Sequence, residues 1–193
     1  MLPISSSLPL KTGDIIFIAI PNVLYRKVAQ ITGSPATHVG IVFDDPHHGW
    51  VVAESAVPLV KYTPLAKFLA RSDRGWFAIR RLKGGLTPAQ CEHLRKACDA
   101  KMGTLYHLGF RFESKRQFCS KLVYEAYLAA TGIEVGRLES FRQLLARHPD
   151  TPIGFWRAWF LGAIPWSRLT VTPASQMTSD ALETVIEQTQ AEP

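Results

Sequence analysis

An α+β domain, with an antiparallel sheet packed against helices, is the fold this sequence predicts, and three observations carry it. Short runs rich in β-branched and aromatic residues fall within the first 82 positions, bounded by Gly, Pro or Asp. Two of these runs, residues 37–43 and 50–55, flank the turn-forming Asp44-Asp45-Pro46-His47-His48-Gly49 and read as a hairpin. From Thr87 onward the apolar spacing becomes helical, with Gly103 and Gly132 placed to end two helices.

Taken in order, residues 14–20 read as a first strand, and residues 23–31 as a short helix or turn leading to Gly33. The hairpin strands follow. Residues 64–70 suggest a short helix with Pro64 near its start, and residues 76–82 another strand. Thr87-Pro88-Ala89-Gln90 is a capping box with proline at the first helical position, opening a helix to about Met102. A further helix starts at Cys119, where Leu122, Val123, Ala126, Tyr127 and Ala130 share one face. In residues 151–166, Phe155, Trp156, Trp159, Phe160, Ile164 and Trp166 crowd together, but Arg157, Gly162 and Pro165 interrupt a run already too short to cross a bilayer. A packed helix covering the sheet or roofing a cleft is the preferred reading, and an interfacial patch touching lipid the alternative. Residues 1–175 are expected to form a single catalytic domain and residues 176–193 a polar tail, its last few positions disordered.

Composition narrows the function. With 193 residues and 47% hydrophobic content the chain can bury one good core. Three cysteines is an odd count with no metal or redox spacing, and residues 1–7 lack the basic start of a signal peptide, so a reducing, cytoplasmic location is expected. The net charge of +6 comes from scattered residues, 22 Lys plus Arg against 16 Asp plus Glu, without a zinc-finger, RNA-recognition or Walker pattern. Nucleic acid is therefore not an expected partner, and the positive potential suits an anionic or carboxylate-bearing substrate as well.

Cys119 is the candidate nucleophile. It opens Cys119-Ser120-Lys121-Leu122-Val123-Tyr124 after the basic approach Lys115-Arg116. In the first turn of a helix, unpaired N–H groups and the positive end of the macrodipole favour a thiolate and can hold a developing oxyanion. A lone cysteine there is often a small packed residue. The combination with His38 and Glu54 argues for catalysis. His38 shares its strand face with Gly40 and Val42, and Gly40 leaves open space beside the imidazole. Glu54, on the partner strand, would fix the histidine tautomer. Placing Val42 opposite Trp50 brings Glu54 opposite His38; placing Phe43 there brings Ser55 instead, since a one-residue slip exchanges the faces. The register stays open from sequence, and the chemistry favours Glu54.

Other candidates have simpler explanations. Cys91, Leu94 and Cys98 form one helix stripe and read as core. Asp44, Asp45, His47 and His48 could bind a divalent metal, but the same residues make a turn unaided. His107 beside Tyr106 is a rival base, and His93 and His148 read as surface residues.

The order Gly13-Asp14-Ile15-Ile16-Phe17, Thr37-His38-Val39-Gly40-Ile41-Val42, Ala53-Glu54 and Phe118-Cys119-Ser120-Lys121-Leu122-Val123-Tyr124 resembles the circularly permuted papain-like hydrolases. Among these it is most similar to the YiiX/YebB-like group of the NlpC-type superfamily. In that group the histidine strand precedes the cysteine helix. The resemblance runs from about Gly13 to Gly132, and Leu169-Thr170-Val171-Thr172-Pro173-Ala174 resembles the group's closing segment. It implies Cys119 as nucleophile, His38 as base and Glu54 as the residue orienting it, with Tyr106 lining the cleft. Asp14 and Ser120 complete the candidate substrate-binding residues. Lys121 departs from the acidic residue common in the group and bears on substrate polarity.

The expected activity is a cysteine amidase or peptidase acting on a small peptide or amide, needing no metal and no organic cofactor. A lipid acyltransferase or lipid hydrolase on the same Cys–His pair, which would meet a membrane surface, is the first alternative. A catalytically silent binding module is the second.

Overall fold

The strand-rich first half and the helix-rich second half both form. In chain order the elements are β1 (Ile15–Ile18), α1 (Val23–Thr32), β2 (His38–Asp45), β3 (Gly49–Ser55), β4 (Val60–Pro64), α2 (Leu65–Leu69), β5 (Phe77–Leu82) and α3 (Pro88–Asp99). They continue with α4 (Cys119–Thr131), β6 (Glu139–Ser140), α5 (Phe141–Arg147), α6 (Gly154–Trp159), β7 (Leu169–Thr170), α7 (Pro173–Met177) and β8 (Leu182–Glu187). The computed structural model describes residues 8–149 and 151–188.

Six strands make one antiparallel sheet in the order β4-β3-β2-β1-β5-β8, while β6 and β7 pair separately. The central strand β1 is buried on both faces, which is why Ile15-Ile16-Phe17-Ile18 is apolar without alternation. Odd-numbered Val39, Ile41, Phe43, Val51 and Ala53 face a core completed by Val123, Ala126 and Tyr127 of α4 and by Leu94 and Cys98 of α3. On the other face, Val42, Val52 and Ile79 pack against Leu65 and Phe68 of α2. Cys98 is core as expected, and Cys91 lies half-buried beside it on α3.

The helix boundaries follow their local chemistry. Asn22, Thr87, Ser140 and Thr172 each accept a backbone N–H at the start of α1, α3, α5 and α7. Gly33 and Gly132 end α1 and α4 in the left-handed conformation. Among the turns, Asp45 Oδ1 accepts the N–H groups of both His47 and His48 and pairs with the His48 ring, so this cluster builds the β2–β3 connection.

Two readings need correction. Residues 60–64 form β4, hidden in the sequence because Lys61 and Pro64 break its apolar pattern at a sheet edge. The segment expected as a polar tail contributes the rest of α7 and all of β8, which pairs with β5 through Leu82↔Leu182. Its polar composition suits an edge strand with one face in solvent. The disorder expected at the extreme C-terminus concerns residues 189–193, outside the described residues, as are residues 1–7 with their signal-peptide reading.

The aromatic segment is a roof. Trp156 is buried against Phe141, with Ile31, Leu144 and Ile164 in the same cluster and Val28 beside it. These residues join α6 to α1 and α5. No helix among the described residues is long and apolar enough to cross a membrane.

Candidate active site

The hairpin register is neither of the two weighed from sequence. Asp44 lies opposite Trp50, Val42 opposite Val52 and Ile41 opposite Ala53. Continuing that pairing sets Glu54 across from Gly40, one step diagonal to His38. The shift from the first register is two residues, so Glu54 keeps the face of His38. Ser55 turns to the other face, where its buried hydroxyl has no hydrogen-bond partner among the described residues. The open space expected at Gly40 is filled: a Cβ there would lie 2.4 Å from Val52 Cγ1 and 2.8 Å from the Ala53 carbonyl. Glycine is what lets β3 pass this close beside the imidazole.

His38 and Glu54 are both at 0% exposure and are joined by His38 Nε2 to Glu54 Oε2 at 2.6 Å. Three further groups hold them. Thr63 Oγ1 donates to Glu54 Oε1 at 2.5 Å, and Arg71 Nη2 donates to Glu54 Oε2 at 2.6 Å while its guanidinium covers the Phe68 ring. The imidazole is wedged between Phe68 and the edge of Tyr25. Burial works to raise the Glu54 pKa, but His38, Thr63 and Arg71 together hold the carboxyl down at about 2. Burial likewise works to lower that of His38, and hydrogen bonding to Cys119 and Glu54 with their charges raises it to about 9.

Cys119 is the first residue of α4 and is buried. Phe118 precedes it in extended conformation and offers no side-chain cap, in contrast to the four capped helices. The first N–H groups of α4 therefore stay available beside the thiol. His38 Nδ1 has no well-aligned partner among the described residues, and Cys119 is the group it addresses. Burial first, and the charge of Cys119 after it, raise the Tyr25 and Tyr106 phenols above their ordinary range, and the Tyr106 hydroxyl has no hydrogen-bond partner among the described residues.

The structure thus brings Cys119, His38, Glu54 and Tyr106 together, and adds Tyr25, Thr63 and Arg71, which sequence reasoning missed. Thr63 lies on the undetected β4 and Arg71 beyond α2, so neither had a local signal. Tyr25 sits on the inner face of α1, where Gly33 and the apolar spacing could have revealed it.

Ser120 lines the same cleft, but its hydroxyl donates to Val171 O at 2.8 Å, and Gln176 Nε2 donates to the Ser120 carbonyl at 2.9 Å. Its observed contacts anchor the closing segment to α4. Asp14 is not brought to the cleft. It precedes β1 at the end away from His38 and holds Arg81 through two hydrogen bonds of 2.7 and 2.8 Å. Lys121 donates to the carbonyls of Ser114 and Arg116 and pairs with Glu125, so its charge closes a loop and does not line the cleft. His107 Nδ1 accepts the Gly109 N–H. His93 is exposed, whereas His148 is half-buried with its ring packed under Gly33.

A narrow cleft opens beside Cys119. Tyr25, Tyr106, Phe110, Trp156, Arg168 and Val171 are among its walls.

A histidine strand leading to a cysteine helix, with a carboxylate behind the imidazole, places the molecule among permuted papain-like enzymes. The chain belongs to the permuted papain-like amidase family YaeF/YiiX, C92, which it matches over residues 9–186. It is 27% identical over 175 residues to the uncharacterized protein YiiX of Escherichia coli strain K12, covering 91% of this chain and 85% of that one. A crystal structure described as metalloprotein yiiX from Escherichia coli O157:H7 superposes with a TM-score of 0.81 at 27% identity, covering 92% of this chain and 97% of the other.

The metal in that description does not fit this site. Both Glu54 oxygens and His38 Nε2 are engaged, which leaves Cys119 and His38 Nδ1 as two donors where a closed zinc site needs four. Among the described residues no group of three or more His, Cys, Asp or Glu is placed to hold a metal ion.

Proposed function

We propose that this protein is a cysteine amidase or peptidase-type hydrolase in which Cys119 attacks the substrate carbonyl, His38 carries the proton and Glu54 orients the imidazole. One observation supports this above the others: Thr63 and Arg71 hold Glu54, Glu54 holds His38 Nε2, and His38 Nδ1 is left without a hydrogen-bond partner beside a thiol on an uncapped helix start. In the resting site His38 holds the proton taken from Cys119, consistent with its raised pKa. The sulfur adds to the carbonyl carbon, and the oxyanion meets the first N–H groups of α4 and the protonated Tyr106 hydroxyl. The C–N bond breaks as His38 Nδ1 gives its proton to the leaving amine, leaving a thioester. Water then loses a proton to His38 and attacks the thioester, which releases a carboxylic acid and the free thiolate. No step needs a metal or an organic cofactor. A reducing, cytoplasmic location is part of this proposal and rests on the odd cysteine count without metal or redox spacing.

Iodoacetamide alkylation followed by peptide mass spectrometry from pH 4 to 9 tests the reading. Cys119 is expected to react fast below pH 7 while Cys98, whose thiol burial pushes up to about 12, stays slow. His38→Ala should abolish the advantage of Cys119. Equal, slow reaction of all three thiols, unchanged in His38→Ala, would refute the hydrolase and favour a binding module.

A further inference from the structure

The outer surface of the aromatic roof takes no part in the chemistry, and two features coincide on it. The first is charge. Residues 104–118, which lead into α4, and residues 141–169, which contain the roof, hold seven Lys or Arg against two Asp or Glu, a net +5 of the chain's +6. This charge is spread along the sequence and gathered by the fold. Trp159 Nε1 donates to Leu108 O at 3.1 Å, Arg168 Nη1 to Gly109 O at 2.9 Å and the Phe112 N–H to Leu169 O at 3.0 Å, so the two segments make one surface. Burial and the charges of Arg168 and Arg116 hold His107 below its ordinary range, which places cations from both segments around one ring. Arg111 has Glu113 at 3.6 Å, and Arg147 is held by Glu139. Arg142, Arg157, Lys115 and Arg116 are exposed, and among the described residues no carboxylate forms an ion pair with them.

The second feature is exposed hydrocarbon. Leu161 is 95% exposed, and Leu108, Leu169 and Trp166 are exposed near it, the last with Arg142 over its ring at 5.8 Å. Leu161 also holds φ +51 in the turn after α6, a conformation that suits Asn or Gly better than leucine. Neither its backbone nor the core gains from a leucine there. Cations set among exposed leucine and tryptophan are complementary to a bilayer surface with anionic headgroups, where the charges meet phosphate and carboxylate and the apolar side chains reach the acyl boundary. Nucleic acid would use the cations and leave the leucines in water.

We propose that this face docks the protein on the surface of an anionic phospholipid membrane, with Leu161 and Trp166 entering the interface and Arg142 and Arg157 lying among the headgroups. Phe110 and Arg168 belong to the same two segments and also line the Cys119 cleft, so the docked face borders the cleft.

Flotation of the full chain with vesicles of phosphatidylcholine alone, and of phosphatidylcholine mixed with phosphatidylserine, tests this. The protein is expected to float with the mixed vesicles, to stay behind with the neutral ones and to be released at high salt. Arg142→Gln with Arg157→Gln should weaken partition by about fivefold for each charge removed. Leu161→Asn suits the backbone of the turn and removes the hydrocarbon, so it should weaken partition by about tenfold without lowering the urea midpoint. Lys61→Gln with Lys67→Gln removes the same charge from β4 and α2, outside this face, and should float as the unmodified protein does. Iodoacetamide alkylation of Cys119 without vesicles should be unchanged in every variant, which shows that the fold is intact. No flotation with the mixed vesicles, a Leu161→Asn variant that floats normally, or equal losses from the two charge pairs would each overturn the proposal. The last two results would leave only the general attraction of a basic protein to an anionic surface. Tight binding of a single-stranded oligonucleotide with no vesicle flotation would assign the face to nucleic acid instead.

Discussion

Three side chains converge on the Glu54 carboxylate, and that convergence explains how a charge sits at 0% exposure. A buried carboxylate is tolerable only when its lone pairs are satisfied, and His38, Thr63 and Arg71 satisfy them. Glu54→Gln would keep the shape but offer an amide to His38 Nε2, so alkylation of Cys119 at pH 7 should fall by about tenfold or more. Arg71→Ala should give a smaller loss, because His38 and Thr63 still hold the carboxylate. The Asp14–Arg81 pair behaves differently. Arg81→Met leaves a buried carboxylate unpaired and should cost about 3 kcal/mol in urea unfolding. It should leave the Cys119 alkylation rate unchanged, as expected of an ion pair that ties β1 to β5 away from the cleft.

At the scale of elements, β2 and β3 position the base and α4 positions the nucleophile. Their close approach depends on Gly40, where the neighbouring Ala53 carbonyl is backbone and cannot swing aside. Gly40→Ala should therefore destabilise the protein by about 1–3 kcal/mol and slow Cys119 alkylation together. The Cys119 helix and the His38 strand were legible in the sequence because each has strong local chemistry: a sustained helical stripe ending at Gly132, and a β-branched run between turns. The face of Glu54 was favoured on chemistry alone while the register stayed open, and it holds because the observed pairing lies two residues from the register that favours it, a slip that preserves the face. What the sequence hid is of another kind. The edge strands β4 and β8 carry too little apolar alternation to stand out, and Thr63 and Arg71 reach Glu54 only through the tertiary fold. Asp14 was misplaced because proximity to β1 in sequence does not reveal which end of the strand faces the cleft.

For the whole molecule, the buried pair ties stability to pH at both ends. The Glu54 pKa is lowered from 4.5 to about 2, so its contribution is present above pH 4.5 and is lost as pH falls through about 2. The His38 pKa is raised from 6.5 to about 9, so its contribution is complete below pH 6.5 and is lost as pH rises through about 9. Urea unfolding should show this part of the stability at its plateau between pH 4.5 and 6.5, and His38→Ala should remove the alkaline loss. The measurement that bears most directly on the central claim is the NMR titration of the His38 imidazole in the folded protein and in Cys119→Ala. A thiol and imidazole that share one proton predict an imidazole cationic up to about pH 9 whose pKa drops when the sulfur is removed. An imidazole that titrates near the ordinary 6.5 and is indifferent to Cys119→Ala would show that His38 and Cys119 do not act as a pair.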